Sequence, residues 1–166
     1  MKARRLARLA LLTAVALIIF IIELQIPNII PIPGVKLGLA NIVTVYAVYK
    51  YSAKETAAIV AARVLLGSIF GGNIAAIMYS MAGAFLCLVG MLSIKRIVPL
   101  NYIWLSSILG AILHNTGQMI VAVIVMRSFA VISVYPFLLT AGCIAGAFTG
   151  LCAQFLIKRG NLEKID

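Results

Sequence analysis

Few side chains in this sequence can do polar chemistry. Seven of them fall within or beside strongly apolar stretches: Glu23, Asn41, Arg63, Asn73, His114, Asn115 and Gln118. One carboxylate, one guanidinium, one imidazole and four amides suit binding better than catalysis. The chain has one histidine, and its only aspartate is Asp166, so a Ser-His-Asp triad cannot be built. No Gly-rich phosphate loop ends in Lys-Ser or Lys-Thr, and no His-Glu-x-x-His is present. The four acids, Glu23, Glu55, Glu163 and Asp166, are too scattered to hold Mg²⁺ between carboxylates. If the protein moves a solute uphill, the energy must come from a partner subunit or an ion gradient.

Each polar residue also has a plainer reading. Glu23 and Arg63 could form an ion pair that makes both tolerable in an apolar setting. His114 could be a hydrogen-bonded packing residue, and Asn73 a turn residue. His114 and Gln118 are four apart and so share a helix face. The convergence of all seven on one half of the molecule favours a pocket, lined also by Tyr46, Phe70 and Tyr79. Lys36, Arg63 and His114 outweigh Glu23 there, which favours an anionic or zwitterionic ligand.

The elements that must position these groups are membrane helices. Of 166 residues, 64% are hydrophobic and 11% charged. Soluble domains carry roughly 45–50% apolar and about 25% charged residues. A soluble enzyme, a soluble DNA-binding domain and a disordered tail are thereby excluded. Apolar runs predict six helices in one transmembrane domain, at about 6–26, 37–50, 55–70, 74–94, 102–126 and 136–157. Pro27, Pro31, Pro33 and Gly34 break the chain after the first. The second and third runs are short for a full crossing, and the alternative is one helical hairpin that stops short of it.

The net charge of +10 reads as topology rather than as nucleic-acid binding. With the N-terminus inside, one side holds Lys2, Arg4, Arg5, Arg8, Lys50, Lys54, Lys95, Arg96, Lys158, Arg159 and Lys164; the other holds only Lys36 and Arg127. That bias predicts both termini in the cytoplasm and a multi-pass protein of the cytoplasmic membrane, in contact with its lipid. The first apolar run is too long for a cleaved signal peptide. The polar set then lies in the outer half. Cys87, Cys143 and Cys152 read as small packing residues, with no disulfide framework and no metal spacing. No cofactor is implied.

Small residues mark helix contacts in lipid. Gly142, Gly146 and Gly150 form a doubled GxxxG in the sixth helix, facing either another helix of this chain or another subunit. Ala7, Ala10 and Ala14 give the first helix a smooth face near its cytoplasmic end.

Three stretches carry a family resemblance: Pro27-Asn-Ile-Ile-Pro-Ile-Pro-Gly-Val-Lys-Leu-Gly-Leu-Ala-Asn41, Arg63-Val-Leu-Leu-Gly-Ser-Ile-Phe-Gly71 and Gly110-Ala-Ile-Leu-His-Asn-Thr-Gly-Gln118. They resemble the small membrane proteins labelled heptaprenyl diphosphate synthase component I, or Gx transporter family. That family is similar in turn to the substrate-binding S components of energy-coupling factor transporters. The resemblance implies a six-helix bundle that captures a vitamin-like solute from outside. It implies docking through alanines of the first helix, here Ala10 and Ala14, on a transmembrane T subunit driven by ATPase subunits. Arg63, His114, Asn115 and Gln118 would contact the solute, together with Glu23, Asn41 and Lys36, and the Pro31–Gly38 loop would act as a lid. The synthase label implies an accessory subunit instead. Prenyl diphosphate synthases use Asp-Asp-x-x-Asp motifs, which this chain lacks, so it would not be catalytic alone.

Overall fold

The protein is seen in a computed structural model that describes residues 2–25, 38–72 and 76–162. Every regular element among them is helical: α1 (Lys2–Gln25), α2 (Asn41–Lys50), α3 (Ala53–Phe70), α4 (Ala76–Ile94), α5 (Ile103–Met126) and α6 (Tyr135–Leu162). Short 3-10 turns, Leu100–Tyr102 and Phe129–Val134, lead into α5 and α6.

Among the described residues, four helical stretches are long and apolar enough to cross a membrane unaided: Ala3–Glu23, Ala76–Ile94, Leu100–Met126 and Phe129–Gly160. The other two helices differ for physical reasons. α2 has ten residues, which reach about 15 Å, half the thickness of a hydrocarbon core. α3 has eighteen residues but carries Lys54, Glu55 and Arg63. Together α2 and α3 make a tight hairpin through Tyr51 and Ser52. Ser52 starts α3 with a reciprocal capping box: its hydroxyl accepts from the Glu55 N–H, and its own N–H donates to Glu55 Oε2 at 3.0 Å. Arg5 Nη2 donates to the same carboxylate at 2.9 Å, tying the start of α1 to the start of α3. Further along, Phe20 of α1 lies on Gly67 of α3, so these two helices run parallel.

The densest packing surrounds α5, with α4 on one side and α6 on the other. Both seams depend on missing side chains. A Cβ on Gly117 would sit 2.6 Å from the Ala82 carbonyl oxygen, and one on Gly150 would sit 2.6 Å from Trp104 Cα. A Cβ on Gly146 would lie 3.0 Å from Ile108 Cα, and one on Gly142 would strike the Asn115 amide. The Gly142, Gly146 and Gly150 face is therefore an internal seam against α5. The hydroxyls of Ser107 and Thr149 meet across it at 3.1 Å. Ile157 of α6 packs with Val48 of α2, Met91 of α4 and Ile103 of α5, closing the end of the bundle that also holds the α2–α3 turn.

Gly117→Ala should lower stability by about 1–3 kcal/mol, because backbone on both helices must move apart. Thermal unfolding in detergent measures it. Gly160→Ala is the control: a Cβ there meets nothing within 4 Å, so stability should hold or rise slightly.

Candidate solute-binding cavity

Toward the opposite end from the Arg5–Glu55 contact, five helices meet around a polar cavity of about 20 Å³, room for about one water molecule. Its lining includes Glu23, Asn41, Arg63, Ser80, His114 and Gln118, with Phe20, Gly38, Ala40 and Val64. Periodicity explains how each helix delivers its group. Ala16, Phe20 and Glu23 lie on the buried face of α1 at helical spacing. On α3, Val60, Arg63, Val64 and Gly67 do the same. α5 supplies His114 and Gln118, one turn apart.

α2 begins inside the site. Gly38 takes φ +80, and a Cβ there would lie 2.8 Å from Asn41 Nδ2. Only glycine enters that backbone region without cost. The Gly38 N–H donates to Glu23 Oε1 at 2.6 Å, and the Asn41 N–H donates to the Gly38 carbonyl at 2.9 Å. The chain entering α2 is thus fastened to the cavity edge.

The buried polar groups are unevenly satisfied. Arg63 is 5% exposed, and Arg63 Nη1 donates to Asn41 Oδ1 at a long 3.4 Å. Glu23 lines the same cavity and sets its carboxylate within electrostatic reach of the Arg63 guanidinium, with no direct ion pair between the two among the described residues. The His114 ring rests on Gly83 of α4, where a Cβ would come within 3.0 Å of it. His114 Nδ1 and Gln118 Oε1 are buried without a hydrogen-bond partner among the described residues. Buried polar atoms are normally paired, so such a cluster needs an explanation.

Glu23, Asn41, Arg63, His114 and Gln118 are brought together as a set. Asn115 is not with them: its Nδ2 donates to the Leu138 carbonyl at 2.8 Å, bracing α5 against α6. The three aromatics expected on the lining also lie elsewhere. Tyr79 packs with Met119, Ala122, Val131 and Leu138, Phe70 is exposed, and Tyr46 lines a separate apolar groove. Lys36, Asn73 and residues 31–37 of the lid lie outside the described residues. Phe20, Ser80 and Gly83 were not singled out from the sequence. The available signal was spacing: Phe20 is three residues from Glu23, and Ser80 is three from Gly83. Among the described residues no three His, Cys, Asp or Glu side chains gather to hold a metal ion. A cation, a carboxylate, an imidazole, amides and a hydroxyl around one small space can bind and orient a polar group.

The sequence pattern of heptaprenyl diphosphate synthase component I matches residues 12–156. The chain belongs to that family. The match runs from α1 into α6 and covers every residue lining the cavity, so the component I pattern includes the site as well as the bundle. No curated protein and no solved structure matches the chain.

Proposed function

We propose that the protein is a non-catalytic membrane subunit that captures a small solute in the Arg63–His114–Gln118 cavity, in the manner of an S component of an energy-coupling factor transporter. The observation that carries this reading is the cluster of incompletely paired polar side chains at one end of an apolar bundle. Groups of this kind at membrane depth are costly and mark sites. In this reading all six helices traverse the bilayer, with α2 and α3 as a short pair whose inner ends are shielded by protein. The basic end, with Arg5, Lys50, Lys54 and Arg159, faces the cytoplasm together with both termini. The cavity faces outward, with Gly38 at its edge. Ala10 and Ala14 are exposed on α1 and offer a smooth surface to a T subunit that carries the ATPases.

The family description favours a second reading, an accessory membrane subunit of heptaprenyl diphosphate synthase. Deleting the gene separates the two. Solute capture predicts a nutrient requirement relieved by supplying that nutrient in excess, with isoprenoid chain length unchanged. A shift in isoprenoid chain length without a nutrient requirement would favour the accessory subunit and count against capture.

A further inference from the structure

We infer that the groove between α1 and α6, floored by α2, seats one chain of an anionic phospholipid, with the lipid phosphate held at the basic end of the groove. This site is separate from the Arg63 cavity and does not depend on it. Val43 and Ala47 of α2 cluster with Ala16 of α1, and Val45 and Val48 of α2 cluster with Ala153 and Ile157 of α6. α1 and α6 themselves make no contact among the described residues. The gap between them is a groove of about 300 Å³, whose lining includes Leu12, Val15 and Ile19 of α1, Ile42 and Tyr46 of α2, and Leu156 of α6. From Leu12 to Ile19 its wall runs about 10 Å. Such a space is too narrow for a further helix, which measures about 10–12 Å across with its side chains, and it suits an extended hydrocarbon chain.

An apolar groove alone selects nothing in a bilayer, because every lipid chain is as apolar as its walls. The end of this groove supplies the selection. The start of α1, the end of α2 and the end of α6 lie together at the end of the bundle that holds the Arg5–Glu55 contact. There each of the three helices continues from the lining to a cation: Arg8 is four residues before Leu12, Lys50 is four after Tyr46, and Arg159 is three after Leu156. Residues at these spacings share a helix face. Arg8 is exposed and lies within electrostatic reach of the Tyr46 hydroxyl. Glu55, the acid that the described residues bring to this end, is engaged by Arg5 and Ser52. A lipid phosphate at the mouth gains from each nearby cation, whereas a zwitterionic head carries its own ammonium and gains less. The stripe of Arg8, Leu12, Val15 and Ile19 is on a different side of α1 from Ala7, Ala10 and Ala14, so the lipid leaves that face open.

The test is native mass spectrometry of the delipidated full chain in detergent, titrated with phosphatidylglycerol or with phosphatidylcholine of the same acyl chains. One phosphatidylglycerol should bind about tenfold more tightly than one phosphatidylcholine. Arg8→Gln with Lys50→Gln should abolish most of that preference. Ile19→Trp, which fills the groove, should weaken both lipids. Arg96→Gln, an exposed cation beyond Met91 at the same end but off the groove, should leave the preference intact. Equal binding of the two lipids overturns the inference. So does a preference that survives Arg8→Gln with Lys50→Gln, one that falls as far in Arg96→Gln, or binding untouched by Ile19→Trp. A dimer that Ile19→Trp disperses, with no lipid adduct, also overturns it and gives the groove to a second copy of the chain.

Discussion

Arg63→Met is expected to make the protein harder to unfold and unable to hold its solute. The two effects have one cause. Arg63 is 5% exposed, and its bond to Asn41 is 3.4 Å long. Such a charge, with one long hydrogen bond, costs free energy in the empty protein through lost hydration, and Arg63→Met removes that cost. Methionine fills the space of the arginine stem and adapts to irregular gaps. The same change removes the fork that would hold a ligand. Sites commonly trade stability for function in this way. Two measurements on one preparation decide it: the unfolding midpoint, which should rise, and solute retained through gentle purification, which should fall at least tenfold. A structural Arg63 would give the opposite stability result, a loss of about 3–5 kcal/mol, as when one partner of a buried pair is removed.

The second large effect concerns assembly. Ala7, Ala10 and Ala14 are all exposed, and they lie on the side of α1 opposite its buried Ala16, Phe20 and Glu23. They therefore have no role in holding this bundle together. Without a hydrophobic driving force between helices in lipid, close approach of small residues supplies much of the association energy. Ala14→Phe, or Ala10→Leu with Ala14→Leu, should reduce co-purification of a T subunit by tenfold or more. Unfolding of the isolated protein should change by no more than about 0.5 kcal/mol, because the added side chains point away from the core. Solute retention should be unaffected. Loss of solute together with assembly would mean that this face supports the cavity rather than a partner.

The amino-acid sequence made the helical architecture and most of the polar set legible, because in so apolar a chain each charge or amide stands out. Glu23, Asn41, Arg63, His114 and Gln118 reach one cavity from four helices. Asn115 shows the limit of that reasoning. It is one residue from His114, and one residue turns a helix by about 100°. That rotation carries its amide to Leu138 and the α6 seam. α5 is packed on both sides, with buried residues facing α4 and α6 alike, so apolar periodicity could not tell the two faces apart.

The aromatics failed for a related reason. Phe70, Tyr46 and Tyr79 are near enough in sequence to the polar groups but on the wrong helix faces, while Phe20 is on the right one. Length and charge set α2 and α3 apart from the other four helices: α2 has ten residues, and α3 carries Lys54, Glu55 and Arg63. The doubled GxxxG of α6 identified a tight contact and not its partner. Only the positions of Ser107, Ile108 and Trp104 make it internal.

The central claim is that this bundle captures a solute through the Arg63 cavity. Native mass spectrometry of the gently purified full chain tests it most directly. The wild-type protein should carry one small non-covalent adduct of defined mass, absent from Arg63→Met prepared identically. A wild-type spectrum showing only the bare chain, with a soluble prenyl diphosphate synthase subunit co-purifying in its place, would contradict the account.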